Sequence, residues 1–391
     1  MIATNDGGLT PRVTLSNPFP EPLLRPVGNS LGLATDLGLS VSAQYIDRKY
    51  PYSHQFSFGF QRELPGRWVV ESSYSGNMTR RLPVNALANA IPGNQLERAS
   101  SYYTERIPNP LAGLLPNNPA KNGATIPRQD LLVPFPHYGN IGLTGISIGR
   151  QDYHGWQNRI ERRFSRGFTL QAAYTVSKTI EAVSFLNAQD FNVSDPLFSK
   201  LEKRLLEWDV PQKLAVLGTW DLPVGRNKRF AAGMPSVLNA IAGGWQLNGN
   251  LTIQSGFPLP FPNAAPVQAR SAKLSGDERT RERWFDTSLW RDPATGRTVP
   301  ALGPFSLRTF PTRFPDVRFE PLKNLDLSLF KDFVIREKMR LNLRIENYNV
   351  TNHPWFPRLG TENVTAANFG SLNLSQTNSA KRFVFGARLL W

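Results

Sequence analysis

The sequence predicts an all-β fold: an antiparallel transmembrane β-barrel, partial, with about nine to ten strands and long loops at one end. Three observations predict it. Segments alternate apolar and polar residues with a period of two, they run close to ten residues, and the connections between them alternate between short and long. A tilted strand needs about 9–11 residues to cross a bilayer, whereas soluble strands run about 5–6.

The first segment, "HQFSFGFQREL", sets Phe56, Phe58 and Phe60 against Gln55, Ser57, Gly59 and Gln61. After Pro65-Gly66, "RWVVESSY" sets Trp68, Val70 and Tyr74 against Glu71 and Ser73. "DYHGWQNRIERRF" sets Trp156, Ile160 and Phe164 against Gln157, Arg159 and Glu161. The turn Ser165-Arg166-Gly167 leads into "FTLQAAYTVSK", where Phe168, Leu170, Ala172, Tyr174 and Val176 share a side. "KLAVLGTWDL" aligns Leu214, Val216, Gly218 and Trp220. In "GWQLNGNLTIQS", Trp245, Leu247, Gly249, Leu251 and Ile253 alternate with Gln246, Asn248, Asn250, Thr252 and Gln254. "NLDLSLFKDF" and "MRLNLRIENY" align Leu325, Leu327 and Leu329, then Met339, Leu341, Leu343 and Ile345. The last segment, "RFVFGARLLW", puts Phe383, Phe385, Ala387, Leu389 and Trp391 on one face. "GLSVSAQYI" also alternates and would make a tenth strand, but only "DRKYPYS" separates it from the first, so it reads as extended loop.

A soluble sandwich also alternates, but it would place its large rings in mid-strand. Here Trp68, Phe164, Phe168, Trp220, Trp245 and Trp391 fall beside the short turns, while Phe56, Tyr74, Trp156 and Tyr174 fall toward the opposite ends. Two such bands match the aromatic girdles of two membrane–water interfaces. Connections at 65–66, 165–167, 223–243 and 335–338 are short or moderate; those at about 76–151, 179–211, 256–323 and 350–381 are long. Outer-membrane barrels carry short periplasmic turns and long extracellular loops, so this asymmetry orients the chain and puts Trp391 at the periplasmic surface. The polar faces carry Arg159, Glu161, Arg340, Arg344 and Glu346, expected to face the lumen and to pair across strands rather than hold substrate.

An odd strand count places residues 1–50 outside as a loop remnant, with the barrel strands and loops in 51–391. Complete bacterial barrels have even counts, and an open sheet would leave two unsatisfied edges in lipid. The chain is therefore expected to be the C-terminal portion of a larger barrel, lacking a plug. The alternative is a self-contained ten-stranded barrel with a structural or adhesive role.

Composition agrees. The 32 prolines, 30 glycines and 24 phenylalanines suit strands and turns. The absence of cysteine excludes disulfides and thiolate metal sites. The net charge of +15 would suit nucleic acid, but only 19% of residues are charged and the cations are scattered, so no nucleic-acid partner is expected. No apolar run is long enough for a membrane helix, and the opening residues lack a signal-peptide pattern.

Catalytic chemistry is not expected. "GISIG" (Gly145–Gly149), with His154 nearby, matches a nucleophile elbow, but that motif needs a helix after it and a strand follows instead. The histidines show no metal-ligand spacing. No cofactor is expected. "DERTRERWF" (Asp277–Phe285) reads as a solvated, mixed-charge loop, with contact to substrate or lipopolysaccharide phosphates as the alternative.

The chain resembles TonB-dependent receptors of the Oar-like type, over the C-terminal part of their outer-membrane β-barrel. The resemblance rests on the order of "LSNPFPEPLLRPVGNSLG", "DRKYPYSHQFSFGFQRELPGRWVVESSYSGN", "QNRIERRFSRGFTLQAAYTVSKTIEAVSFLN", "LAVLGTWDLPVGRNKRF", "AGGWQLNGNLTIQSGFPL", "NLDLSLFKDFVI", "LRIENYNVTNHPWF" and the terminal strand. It implies a 22-stranded barrel in the intact protein and energy-coupled uptake of a large substrate. It also implies contact with the TonB system only through an N-terminal part absent here. Outer-membrane lipid, lipopolysaccharide and the barrel-assembly machinery are the expected partners. The terminal strand (Phe383, Phe385, Ala387, Leu389, Trp391) looks like that machinery's signal.

Overall fold

A computed structural model of the chain describes residues 9, 14–18, 28, 30–96, 98–165, 167–187, 201–336 and 339–391. The tip of the turn at Arg166, the end of the 335–338 turn and most of the first 29 residues lie outside these.

Fifteen strands are described: β1 (Val41–Gln44), β2 (Tyr52–Leu64), β3 (Trp68–Leu87), β4 (Arg106–Pro108), β5 (Thr125–Pro127), β6 (Ile141–Ser165), β7 (Phe168–Ala182), β8 (Arg204–Leu205), β9 (Gln212–Asp221), β10 (Gln246–Gln254), β11 (Pro258–Pro260), β12 (Arg313–Arg318), β13 (Leu322–Arg336), β14 (Met339–Tyr348) and β15 (Arg382–Leu390). Two short α-helices accompany them, α1 (Ser100–Thr104) and α2 (Ser236–Ala242). Nine strands form one meander in the order β15-β14-β13-β10-β9-β7-β6-β3-β2, every neighbour antiparallel. The alternating segment before residue 50 contributes only β1, which pairs in parallel with the start of β6 and is not a tenth meander strand.

Register fixes which side chains share a face, because residues directly opposed across an antiparallel pair point the same way. One row reads Phe168, Trp220, Leu247, Leu329, Ile345 and Phe385. Another reads Phe58, Tyr74, Trp156 and Val176. The opposite face carries the row Glu71, Arg159, Ala173, Ala215, Thr252 and Asn324. The alternation read from nine separate segments thus assembles into one apolar and one polar face. Exceptions on the apolar side include Arg62, Arg162 and Lys331 near strand ends and, in mid-strand, Ser72 and Asn158, whose side chains satisfy each other at 2.8 Å; those on the polar side include Val69, Leu217, Phe330, Val334 and Leu390. Arg62 is exposed and can reach water along its stem, whereas Lys331 is buried and bonded to the Ile241 and Gly243 carbonyls.

Among the described residues no layer packs over the apolar face; at its short-turn margin Lys331 is buried beneath the Ile241 and Gly243 carbonyls. Phe58 is 80% exposed and Phe385 is 74% exposed, while β2 and β15 are exposed along their whole length. An apolar surface of this extent does not persist in water on a monomer; it suits hydrocarbon. On β3 the first ion pair on this face, Arg80–Asp152, lies twelve residues above Trp68. At about 3.4 Å per residue and a tilt near 40°, that is roughly a bilayer's hydrocarbon thickness. The ring of Phe56 lies over Gly76, where any Cβ would collide with it. An aromatic side chain thereby covers bare backbone in an outer strand.

The sheet is open. β2 and β15 are its edges and, separated by eight antiparallel steps, they run in the same direction. Antiparallel closure therefore requires an odd number of further strands, and it would pair two rows of backbone groups that are expensive to leave bare in lipid.

Two predicted loop features are corrected by the structure. The connection expected at about 76–151 is shorter, because β3 continues to Leu87 and β6 begins at Ile141. The extension passes through register shifts at Arg80/Leu82, Leu82/Pro83 and Val84/Ala86, with Arg81 at φ 59°. Each shift breaks the period of two, which hides the strand from a pattern search. The run Asp277–Phe285 is not simply solvated: Trp284 and Phe285 are buried, and Trp284 Nε1 donates to the Arg318 carbonyl at 2.7 Å.

Those two rings belong to the main hydrophobic core, which lies in the long connections rather than against the sheet. Leu259, Phe261, Phe285, Leu289, Trp290 and Phe314 are its centre. A smaller cluster, where Tyr103 stacks on Phe305 at 4.0 Å, joins the 88–140 connection to the one that follows β10. The long loops thus fold into a cap with its own interior.

Candidate functional site

Buried ion pairs hold the cap together above the ends of β7 and β13. Glu181, at the end of β7, accepts from Arg204 at 2.9 Å and from Arg313 at 2.8 Å. Glu202 pairs with Arg204 at 3.1 Å and accepts the Thr312 N–H at 2.7 Å. Asp209 is almost wholly buried; it takes Arg318 at 2.6 Å and the Thr179 N–H at 2.6 Å. Charges so deeply placed are tolerable only when paired and hydrogen-bonded, and these are.

Asp286 secures another part of the cap. Its carboxylate accepts the Ser288 N–H at 3.0 Å and meets the Arg270 guanidinium at 2.6 Å. Burial works to raise this carboxyl, but the Ser288 hydroxyl and N–H, and then Arg270, outweigh it and hold the group below the ordinary aspartate range. A depressed folded value contributes stability that is complete above the unfolded value, about 4, and is lost as pH falls through the folded one. Proteolysis of the cap is therefore expected to accelerate below about pH 4. Asp286→Asn should be cleaved faster at neutral pH and show a shallower acid dependence.

Among these elements lies a cavity of about 800 Å³. Its walls bring together Trp208, Phe257, Phe319 and Trp355, with Arg204, Arg313, Arg358 and Glu362 among the polar groups. Trp208 meets Phe257 edge-on at 5.1 Å, and Phe257 lies 6.0 Å from Trp355. Trp355 is fixed by its Nε1 donating to the Glu320 carbonyl at 2.8 Å. Behind it, buried Asn349 sits at φ 48°, a conformation that asparagine tolerates, and accepts the His353 N–H at 3.0 Å. Next to Phe257 in the chain, Gly256 runs against the Phe319 carbonyl so closely that no Cβ fits. Arg204 and Arg313 are committed to carboxylates; the Arg358 side chain makes no hydrogen bond or ion pair among the described residues. The site offers ring faces for a planar or sugar-like ligand and one guanidinium for its anionic or carbonyl group.

None of the residues singled out from sequence lines this cavity. Trp68, Phe168 and Trp220 cluster at the short-turn end, where Arg162 lies 5.7 Å above Trp68 and 5.3 Å above Phe168. Trp245 precedes β10 and donates to the Ile241 carbonyl at 2.9 Å; the Phe164 carbonyl accepts from Arg67 at 3.2 Å. Tyr74 and Tyr174 lie six residues above Trp68 and Phe168 on the apolar face. Phe383, Phe385, Ala387 and Leu389 share that face, and Trp391 stands exposed one residue beyond β15. Arg159, Glu161, Arg340, Arg344 and Glu346 occupy the polar face. There Arg159 pairs with Glu161 on its own strand and approaches Glu71 across the ladder at 3.9 Å. Arg344 bonds Asn342 at 2.7 Å, and Glu346 accepts from Tyr348 at 2.9 Å. Trp208, Phe257 and Trp355 were not found from sequence because they sit off the alternation, although Phe257 and Trp355 adjoin prolines.

The nucleophile-elbow match does not have elbow geometry. Gly145–Gly149 lies inside β6, and the Ser147 hydroxyl bonds the Lys49 carbonyl at 2.9 Å. His154 is engaged by the Tyr74 hydroxyl at 2.7 Å.

The chain is similar in fold to the outer membrane transporter YddB from Escherichia coli, at 9% identity and a TM-score of 0.41 over 91% of this chain and 34% of that one. It is also similar to the ferripyoverdine receptor of Pseudomonas aeruginosa, at 12% identity and 0.38 over 87% and 27%. The FrpB iron transporter from Neisseria meningitidis follows at 10% and 0.36 over 90% and 32%. Likeness this distant carries no functional argument, and the chain spans about a third or less of each structure's length. No curated protein sequence matches. The family described as the outer membrane beta barrel domain matches residues 2–385. The chain belongs to that family, and its place is the cell outer membrane.

Proposed function

We propose that this chain is the C-terminal section of the barrel of a TonB-dependent receptor of the Oar-like type, serving energy-coupled uptake of a solute captured at the long-loop end. The observation that carries the reading is a folded cap with an aromatic, Arg358-bearing cavity, set on a sheet that has one polar and one apolar face. On this reading the long loops are extracellular and the apolar face meets outer-membrane lipid and lipopolysaccharide. The polar face lines the lumen, the terminal strand engages the assembly machinery, and coupling to TonB runs through an N-terminal part.

The test compares cells that carry the intact gene with cells that lack it, both offered a mixture of labelled oligopeptides and oligosaccharides. Some solute is expected to accumulate only with the gene, and accumulation should stop when a protonophore collapses the proton gradient. Accumulation indifferent to the gradient would remove energy coupling, and no gene-dependent solute at all would overturn transport. For the solute found, Arg358→Ala should raise the half-saturating concentration roughly tenfold, the loss of one charge-assisted hydrogen bond.

A further inference from the structure

The connection between β9 and β10 holds a helix that is built inside out. In α2, Val237, Leu238 and Ile241 fall on one face, at positions i, i+1 and i+4, and they are 74%, 55% and 64% exposed. The opposite face is the one docked on the protein: Asn239 Oδ1 accepts the Arg226 N–H at 2.7 Å, and Ser236 Oγ accepts from the Arg226 guanidinium at 3.2 Å. A helix on a water-soluble surface does the reverse, turning its apolar stripe inward.

The helix is tied to the apolar face of the sheet, not to the polar one. Lys331, which stands on the apolar face opposite Leu343, donates to the carbonyls of Ile241 and Gly243. This places a cation at the helix C-terminus, where the helix dipole favours it. Trp245 donates to the same Ile241 carbonyl. The C-terminus of the helix thereby sits against the apolar side of the sheet, at the end where Trp68, Phe168 and Trp220 lie. The rest of the connection is basic. Residues 223–245 include Arg226, Lys228 and Arg229 and no carboxylate, and exposed Phe230 lies 5.6 Å from the Arg229 guanidinium.

We propose that residues 223–245 form a membrane-surface anchor that binds the anionic phospholipids of the periplasmic leaflet. Val237, Leu238 and Ile241 enter the boundary between headgroups and acyl chains, about 5–10 Å deep, and Lys228 and Arg229 meet the phosphates. The proposal rests on the apolar face being the lipid face and on the short-turn end being periplasmic. Its consequence is mechanical: the anchor fixes the height and tilt of the neighbouring strands in the leaflet.

The chain has no cysteine, so single-cysteine variants of the full chain can carry an environment-sensitive fluorophore. The probe is a vesicle of phosphatidylethanolamine and phosphatidylglycerol with brominated acyl chains. Label at Val216→Cys reports insertion of the sheet by itself, with Ala215→Cys as its polar-face control. Label at Val237→Cys and Ile241→Cys is expected to be quenched severalfold, as at Val216→Cys, with little effect at Ser236→Cys or Ala215→Cys. Lys228→Gln with Arg229→Gln should reduce quenching at Ile241→Cys to the level seen without phosphatidylglycerol. Quenching at Val216→Cys with none at positions 237 and 241 overturns the anchor alone; no quenching at Val216→Cys overturns the lipid face and the anchor with it. Shielding of positions 237 and 241 that follows protein concentration in lipid-free detergent would assign the stripe to a second copy and overturn the lipid assignment.

Discussion

Val216→Arg is expected to abolish outer-membrane assembly of the intact protein, whereas Ala215→Arg, one residue away on the same strand, is expected to be tolerated. Val216 stands opposite Ala172 and Leu251 on the apolar face; Ala215 stands opposite Ala173 and Thr252 on the polar one. Val216 is four residues from Trp220, which places it near mid-height of the apolar band. An arginine there costs about 2–4 kcal/mol against hydrocarbon, a large fraction of the marginal stability of a folded protein. At Ala215 the same side chain joins a wall that already accommodates Arg159 and Glu161. The readouts are recovery in the outer-membrane fraction and a heat-modifiable, protease-resistant band. Equal tolerance at both positions, or equal failure, would contradict a sheet with one face in lipid. The contrast is sharper than any loss at a single site, because both variants add the same charge and volume to the same β9.

How much of this arrangement could be read in the sequence follows from the physics of each element. Strands such as β10 were legible because a bilayer imposes a strict period of two: Leu247, Gly249, Leu251 and Ile253 have one environment, and Asn248, Asn250 and Thr252 the other. Once β3 and β6 leave the bilayer that constraint ends. Shifts around Leu82 and Pro83 are then allowed, and the pattern dissolves although the hydrogen-bonded ladder continues. The cap was hidden for a different reason. Its core joins residues as distant as Phe261, Trp290 and Phe369, packed through irregular backbone with no fixed spacing. The charges of "DERTRERWF" concealed two buried rings, because Arg281 pairs with Glu320 at 3.0 Å and Arg279 lies 4.5 Å over the Trp284 ring. The helix α2 was passed over within a connection read only as a turn. Seven residues are too few to show a convincing helical period, and its exposed apolar stripe resembles loop sequence until its position beside the sheet is known.

Trp290→Ala separates the cap from the barrel, and it is the second large effect expected. Trp290 is fully buried, its Nε1 donates to the Ala264 carbonyl at 3.0 Å, and its ring meets Phe261, Phe285, Phe314 and Phe369 at 5.4–6.1 Å. Truncation removes that contact area, leaves a cavity and strands a buried carbonyl, a loss of about 3–5 kcal/mol. No strand of the meander contributes a centre residue to this core, so the loss falls on the cap alone. Limited proteolysis is expected to cut within 256–321 in Trp290→Ala while the sheet keeps its heat-modifiable, detergent-resistant form. Phe58→Ala, on the exposed apolar face of β2, should leave the cap uncut. Ligand capture is expected to fail in Trp290→Ala without loss of assembly, because Phe257, Phe319 and Trp355 take their positions from the same loops. A cap that resists protease despite the truncation would place its stability in the ion pairs around Glu181 and Asp209 instead of the aromatic core. A barrel that fails together with the cap would show that the two fold as one cooperative unit, against the separation of their interiors seen here.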